Sequence, residues 1–110
     1  MKMLVAVILL LLASSVSADT GLASYYSWKH HGKMMANGKP FNMFAMTAAH
    51  RTFKIGTKLK VCYRKRCVHV TVTDRGPYKG KRVLDLSLAA AQKLRMVRVG
   101  VARVTFVKIA

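Results

Sequence analysis

The chain has 110 residues, with twenty lysines and arginines against three acids and a formal charge of +17. That length excludes more than one domain, and the charge describes a surface that repels itself and seeks polyanions. Carboxylate chemistry is confined to Asp19, Asp74 and Asp85, the whole acidic complement.

The N-terminus reads as a leader. Met1-Lys2 is a short positive start, residues 3–12 are an unbroken apolar run, and residues 13–18 are small and polar, ending Val16-Ser17-Ala18. This is the pattern of a secretory signal peptide cut before Asp19. An apolar run of ten residues is too short to span a bilayer comfortably. No cysteine near the cut offers a site for an N-terminal lipid, and no later segment is apolar enough to cross a membrane. The expectation is a leader at 1–18 and one soluble, monomeric domain at 19–110, exported to the periplasm or beyond and not lipid-anchored. Removing Lys2 leaves nineteen bases against three acids, a charge of +16. A basic protein ordinarily suggests nucleic acid. Export argues against it and favours wall polymer, lipopolysaccharide or anionic lipid headgroups.

Residues 21–26 (GLASYY) read as a short strand. Residues 27–39 are loop-like, with His30, His31 and Gly32 followed by the turn signal Asn37-Gly38. The TAAH segment, residues 47–50, has no clear element. Residues 57–63 (TKLKVCY) and 67–73 (CVHVTVT) alternate apolar and polar, the signature of half-buried strands. Asp74-Arg75-Gly76-Pro77 is turn chemistry, and residues 82–86 read as a strand. Ser87 is an expected N-cap for an Ala-rich helix over 88–96. Residues 102–109 alternate again, with Val104 and Phe106 on one face. Short strands with one helix before the last strand imply a mainly β fold. A chain this short needs a closed barrel to hide its strand edges. No internal repeat, low-complexity segment or linker interrupts it.

Cys62 and Cys67 flank a four-residue turn between two of these strands. In an oxidising compartment such a pair is expected to bridge, stapling the hairpin for about 2 kcal/mol because the closed loop is short. The alternative is a metal site on Cys62, Cys67 and His69. Its spacing fits no common zinc pattern and a fourth ligand is lacking, so no metal and no cofactor are expected.

Four segments in order, GLASYY, MANGKPFNMFAMTAAHRTFKIGT, VTDRGPYKGKRVLDLSLAAAQKL and ARVTFVKI, together resemble the RlpA-like (rare lipoprotein A) proteins of bacteria. The resemblance covers nearly all of residues 21–109. It implies a double-psi β-barrel, as in barwin and the first domain of expansins. It further implies a lytic transglycosylase that cuts naked peptidoglycan glycan without water and leaves 1,6-anhydro-muramic ends. A hydrolase normally needs two carboxyl groups; in the lytic reaction the sugar's own 6-hydroxyl attacks, so one carboxyl suffices to give a proton and take one back. Such a group must be protonated near neutral pH, through burial or a neighbouring carboxylate.

Carried over by motif, Asp74 of DRGP is the expected general acid/base, with turn capping as the plainer alternative. Asp85 of LDLS is the second expected carboxyl, against a merely dipole-favoured residue ahead of the Ser87 cap. His50 of TAAH is expected to line the groove and bond a carboxyl or sugar hydroxyls; the alternative is a structural histidine. Tyr25, Tyr26, Trp28 and Tyr78 offer faces for sugar stacking or, alternatively, for core and rim packing. Arg75 and Asn42 join the same substrate-binding set. The chain departs from the resembled pattern after Asn37-Gly38. Lys39 stands where the best-known members carry a glutamate, and Asn42 where they carry a second acid. Lys39 is expected either to pair with an aspartate or to bind a muramic lactyl carboxylate. Two other readings remain, a non-catalytic expansin-like glycan-binding module and a cationic barwin-like defence protein.

Overall fold

The computed structural model describes residues 18–109. The leader expected at 1–18 therefore falls, but for Ala18, outside the described residues. Among these, the strands are β1 (Asp19–Tyr25), β2 (Thr47–Ala49), β3 (Lys58–Tyr63), β4 (Arg66–Asp74), β5 (Arg82–Leu86) and β6 (Ala102–Lys108), with one α-helix, α1 (Leu88–Leu94), before the last. A single 3-10 turn spans Trp28–His30. The strands close into a barrel in the order β1-β5-β2-β4-β3-β6, with β6 returning to β1. The β1–β5 and β2–β4 pairs are parallel and the rest antiparallel.

Period-two alternation places the core. Leu59 and Val61 of β3, Val68, Val70 and Val72 of β4, Leu84 and Leu86 of β5, and Val104 and Phe106 of β6 are all buried in one cluster. Their intervening neighbours Lys60, His69, Arg103 and Thr105 are exposed. Gly21 lets β1 lie close on β5: a Cβ there would fall 2.5 Å from a Val83 methyl, and the β-branched side chain has little rotamer freedom to yield.

The TAAH segment becomes β2, three residues long. Alanine is a weak strand former; pairing imposes the strand, since β4 lies on one side and β5 on the other. The helix ends at Leu94, two residues before the expected stop. Arg95 adopts a left-handed conformation (φ 59°, ψ 40°), its amide donating to Ala91 and Gln92 carbonyls, which closes the last turn and drops Met96 into the core. At the other end the Ser87 hydroxyl accepts from the Ala90 amide at 3.2 Å, the expected cap. Cys62 and Cys67 stand opposite each other on β3 and β4 and are bridged. Their sulfurs are bonded to one another, which rules out the alternative metal-ligand set.

Candidate active site

The barrel register assembles the site. Ala49 of β2 is the partner of Asp74 on β4 and also of Asp85 on β5, and Asp85 is the partner of Ser24 on β1. The two aspartates thus lie two strand spacings apart, roughly 10 Å between Cα atoms. A break in the β2–β4 ladder makes this possible: Ala48 faces Val72 but Ala49 faces Asp74, with Thr73 skipped. Such irregularities re-aim side chains beside functional sites. Asp85 sits between the core residues Leu84 and Leu86, so alternation turns it to the outer face of the barrel.

That face carries a cleft of about 300 Å³, lined by Ser24, Tyr26, His30, Tyr78, Arg82 and Asp85 among others. The Ser24 hydroxyl donates to Asp85 Oδ1 at 3.1 Å. Burial pushes the Asp85 carboxyl up to about 6, and the charge on Asp74 acts in the same direction. The Ser24 hydrogen bond and the charges of His30 and Arg82 oppose the rise without cancelling it. Asp85 is therefore a group that exchanges its proton near neutral pH.

Asp74 is fixed by three donors. The Tyr26 hydroxyl donates to Oδ2 at 2.7 Å, and the amides of Ala36 and Arg75 donate to Oδ1 at 2.9 Å each. Burial first, and then the bond to Asp74, holds the Tyr26 phenol well above its ordinary range, so it stays a donor. The Tyr26 ring packs edge-on against buried Phe41, with centroids 4.7 Å apart. The Asn37-Gly38 turn brings the Ala36 amide into place: the Gly38 amide donates to the Met35 carbonyl and the Asn37 amide to Thr73, and Gly38 takes the positive φ (83°) that the turn requires.

The other residues expected at the site divide. His50 directly follows β2, and its amide donates to the Asp74 carbonyl. Its Nδ1 accepts from the amides of Thr52 and Phe53, and its ring stacks on Phe53 at 3.8 Å. That leaves the ring capping a turn, bonded to neither aspartate. Burial first, and then the Arg75 charge, lower its pKa. The Arg75 guanidinium donates to the carbonyls of His50 and Phe53, bracing the segment after β2. Asn42 Oδ1 accepts from Phe44 in a local turn. Tyr25 donates its hydroxyl to the Val97 carbonyl and packs against the core. Tyr78 and Trp28 are exposed, 74% and 69%, and Tyr78 lines the cleft. Lys39 is exposed, and the hydrogen-bond partners of the aspartates do not include it. Sequence reasoning missed Ser24, His30 and Arg82. Ser24 is 6% exposed, a burial that its strand, DTGLASY, does not announce.

A closed barrel with two parallel strand pairs is a double-psi β-barrel, here with Asp85 in a cleft on its outer face and Asp74 on the other side of its shortest strand. The chain matches the family described as "Lytic transglycolase" over residues 18–106 and belongs to it. It is 44% identical over 88 residues to "Endolytic peptidoglycan transglycosylase RlpA" of Neisseria meningitidis, an alignment covering 78% of this chain and 37% of that protein. It is 44% identical over 86 residues to the protein of the same name in Pseudomonas aeruginosa, covering 76% and 25% respectively. The chain thus spans about a quarter to a third of these relatives. Among solved structures it resembles the Streptomyces papain inhibitor (TM-score 0.67, 26% identity, 87% of this chain and 98% of that one). It also resembles a Clavibacter michiganensis expansin (TM-score 0.68, 25% identity, 86% and 51%).

Proposed function

We propose that this domain is an endolytic peptidoglycan transglycosylase that cuts naked glycan strands without water. The observation that carries the reading is the pairing of Asp74 and Asp85 with one residue, Ala49, on either side of β2, with Asp85 lining the cleft. The names of the relatives support the substrate class. The motif resemblance puts the proton-carrying role on Asp74; the cleft position and raised carboxyl of Asp85 support giving it to Asp85 instead. Asp85 donates to the glycosidic oxygen as the bond to the anomeric carbon breaks. The sugar's 6-hydroxyl then attacks that carbon, and its proton returns to Asp85, so the carboxyl ends as it began and a 1,6-anhydro ring is left. Asp74, anchored by Tyr26 and two amides, faces the positive charge that develops on the sugar ring. His50 acts as a positioning residue through the turn it caps. Tyr78 and Trp28 offer exposed faces to sugar rings, and Lys39, on the loop that holds Asp74, offers an ammonium to a muramic lactyl carboxylate. In this reading residues 1–18 are a cleaved leader, and the domain works as an exported monomer.

The test is incubation of the domain with peptide-stripped sacculi and mass spectrometry of the soluble products. The expected result is release of 1,6-anhydro ends, reduced at least ~100-fold by Asp85→Asn. Because Asp85 must enter the cycle protonated, the rate falls about tenfold per pH unit above the pH at which Asp85 titrates, about 6. Pelleting with sacculi and no anhydro product from the wild type would refute the enzyme and leave an expansin-like binding module.

A further inference from the structure

We propose that a second cleft, between the β3–β4 hairpin tip and the C-terminal end of α1, docks the domain on an anionic phospholipid surface. The cleft measures about 500 Å³ and is walled by Arg64, Lys65, Arg66, Arg95 and Arg98. All five are exposed, and the wall contains no acid. Two arginines outside the cleft spend their guanidinium groups on structure: Arg51 donates to the carbonyls of Pro77 and Arg82, and Arg75 to those of His50 and Phe53. The head groups around this cleft have no protein acceptor among the described residues. Like charges gathered around one opening repel one another, and an anionic partner removes that cost. Arginine's planar fork suits phosphate oxygens.

The floor decides the class of partner. It is apolar, made of Tyr63, Leu94 and Val99. Val99 is 54% exposed, an aliphatic side chain standing among arginines. A cationic rim around an apolar centre matches the headgroup–acyl boundary of a bilayer, where basic residues meet phosphates and an apolar side chain enters below them. Single-stranded nucleic acid would call for open aromatic faces. The exposed aromatics Trp28, Phe44 and Tyr78 lie outside this cleft, and the Tyr63 ring is covered by Arg64, 5.3 Å from its centroid.

The two sites are well separated. Arg66 opens β4 and Asp74 ends it, nine residues in one strand, so the Cα atoms lie roughly 26 Å apart. A domain resting on lipid by the hairpin tip holds its carboxyl groove away from the bilayer. This inference stands whether or not the groove cuts glycan.

The test is co-sedimentation with vesicles of phosphatidylcholine carrying phosphatidylglycerol, at ~0.1 M salt, where the screening length is about 10 Å. One variant carries Arg64, Arg66, Arg95 and Arg98 changed to Gln. A second carries Lys33, Lys54, Lys60 and Arg103 changed to Gln, giving the same net charge with the cleft intact. The first should bind at least tenfold more weakly than wild type, and the second within about threefold. Equal loss in both variants would reduce the effect to net charge and overturn the proposal. So would equal binding to phosphatidylcholine alone, or tighter binding of a single-stranded oligonucleotide with the same four-arginine dependence. Amide hydrogen exchange of the wild type on these vesicles gives a readout independent of the variants' folding. Protection should concentrate in residues 63–66 and 93–99, and its absence there refutes the site.

Discussion

Asp85 couples function to stability at a single position. Its carboxyl is raised by burial from 3.8 to about 6, so the folded state binds its proton more tightly than the unfolded chain does. The resulting stability is fully present below pH 3.8 and is lost as pH rises through 6. At pH 7 the folded domain carries a buried ionised carboxylate, and removing that charge should help. Asp85→Asn is therefore expected to be more stable than wild type at pH 7 by about 1 kcal/mol, while losing activity. The check is the difference between the two melting temperatures as a function of pH: positive at neutral pH and vanishing below pH 3.8. Taking the difference isolates Asp85 from His50. The lowered pKa of His50 works in the opposite sense, adding stability above pH 6.5 that is lost on acidification. Both aspartates were legible in the sequence because acids are so scarce in it. Their partners were not: Ser24 and Asp85 are 61 positions apart and Tyr26 and Asp74 are 48 apart, and barrel register alone brings them together. Tyr26 read as a sugar-stacking face because an aromatic at a strand end shows its ring to pattern analysis and hides where its hydroxyl points.

The element that organises the site is its shortest strand. β2 is held at its first residue by a group outside the sheet. The Thr47 amide donates to the Ser87 hydroxyl at 3.3 Å, and the Ser87 amide donates to the Thr47 carbonyl at 2.9 Å. The same Ser87 hydroxyl caps α1 through Ala90. Ser87 is 1% exposed, so water cannot replace it. Ser87→Ala should leave two amides without an acceptor and cost about 2 kcal/mol, seen as a lower urea midpoint with an unchanged slope. The loss should spread beyond the helix. Hydrogen exchange at Ala48 and Ala49, whose register sets both aspartates, should quicken along with that of the first turn of α1. The cap itself was legible from Ser87 ahead of an alanine run. The strand was not, because TAAH has neither β-branched alternation nor length. Its conformation comes from neighbours 24 and 38 positions further on, as the Ala48 pairings with Val72 and Leu86 show. The helix end was misplaced for a related reason: no glycine marks it, and Arg95 takes the left-handed cap position instead.

At the scale of the whole molecule the dominant fact is charge. Nineteen bases against three acids in residues 19–110, on a domain of this size, leave repulsion as a standing cost of the compact state. The barrel tolerates it because strand closure pairs the backbone all round and the Cys62–Cys67 bridge staples the hairpin that carries Arg64, Lys65 and Arg66. Salt should then act on folding and on binding in opposite directions. Raising sodium chloride from ~0.02 M to ~0.5 M shortens the screening length from roughly 20 Å to below 5 Å. The melting temperature should rise by several degrees, while association with sacculi and with anionic vesicles should weaken. Calorimetry and pelleting across the same salt series measure both. If repulsion is concentrated at the hairpin cleft, the four-arginine variant should melt higher than wild type in low salt and lose most of that advantage in high salt. The distant four-cation variant should gain less. A melting temperature indifferent to salt would mean that the positive charges are spaced widely enough to ignore one another, and would remove the electrostatic argument for the clustered cleft.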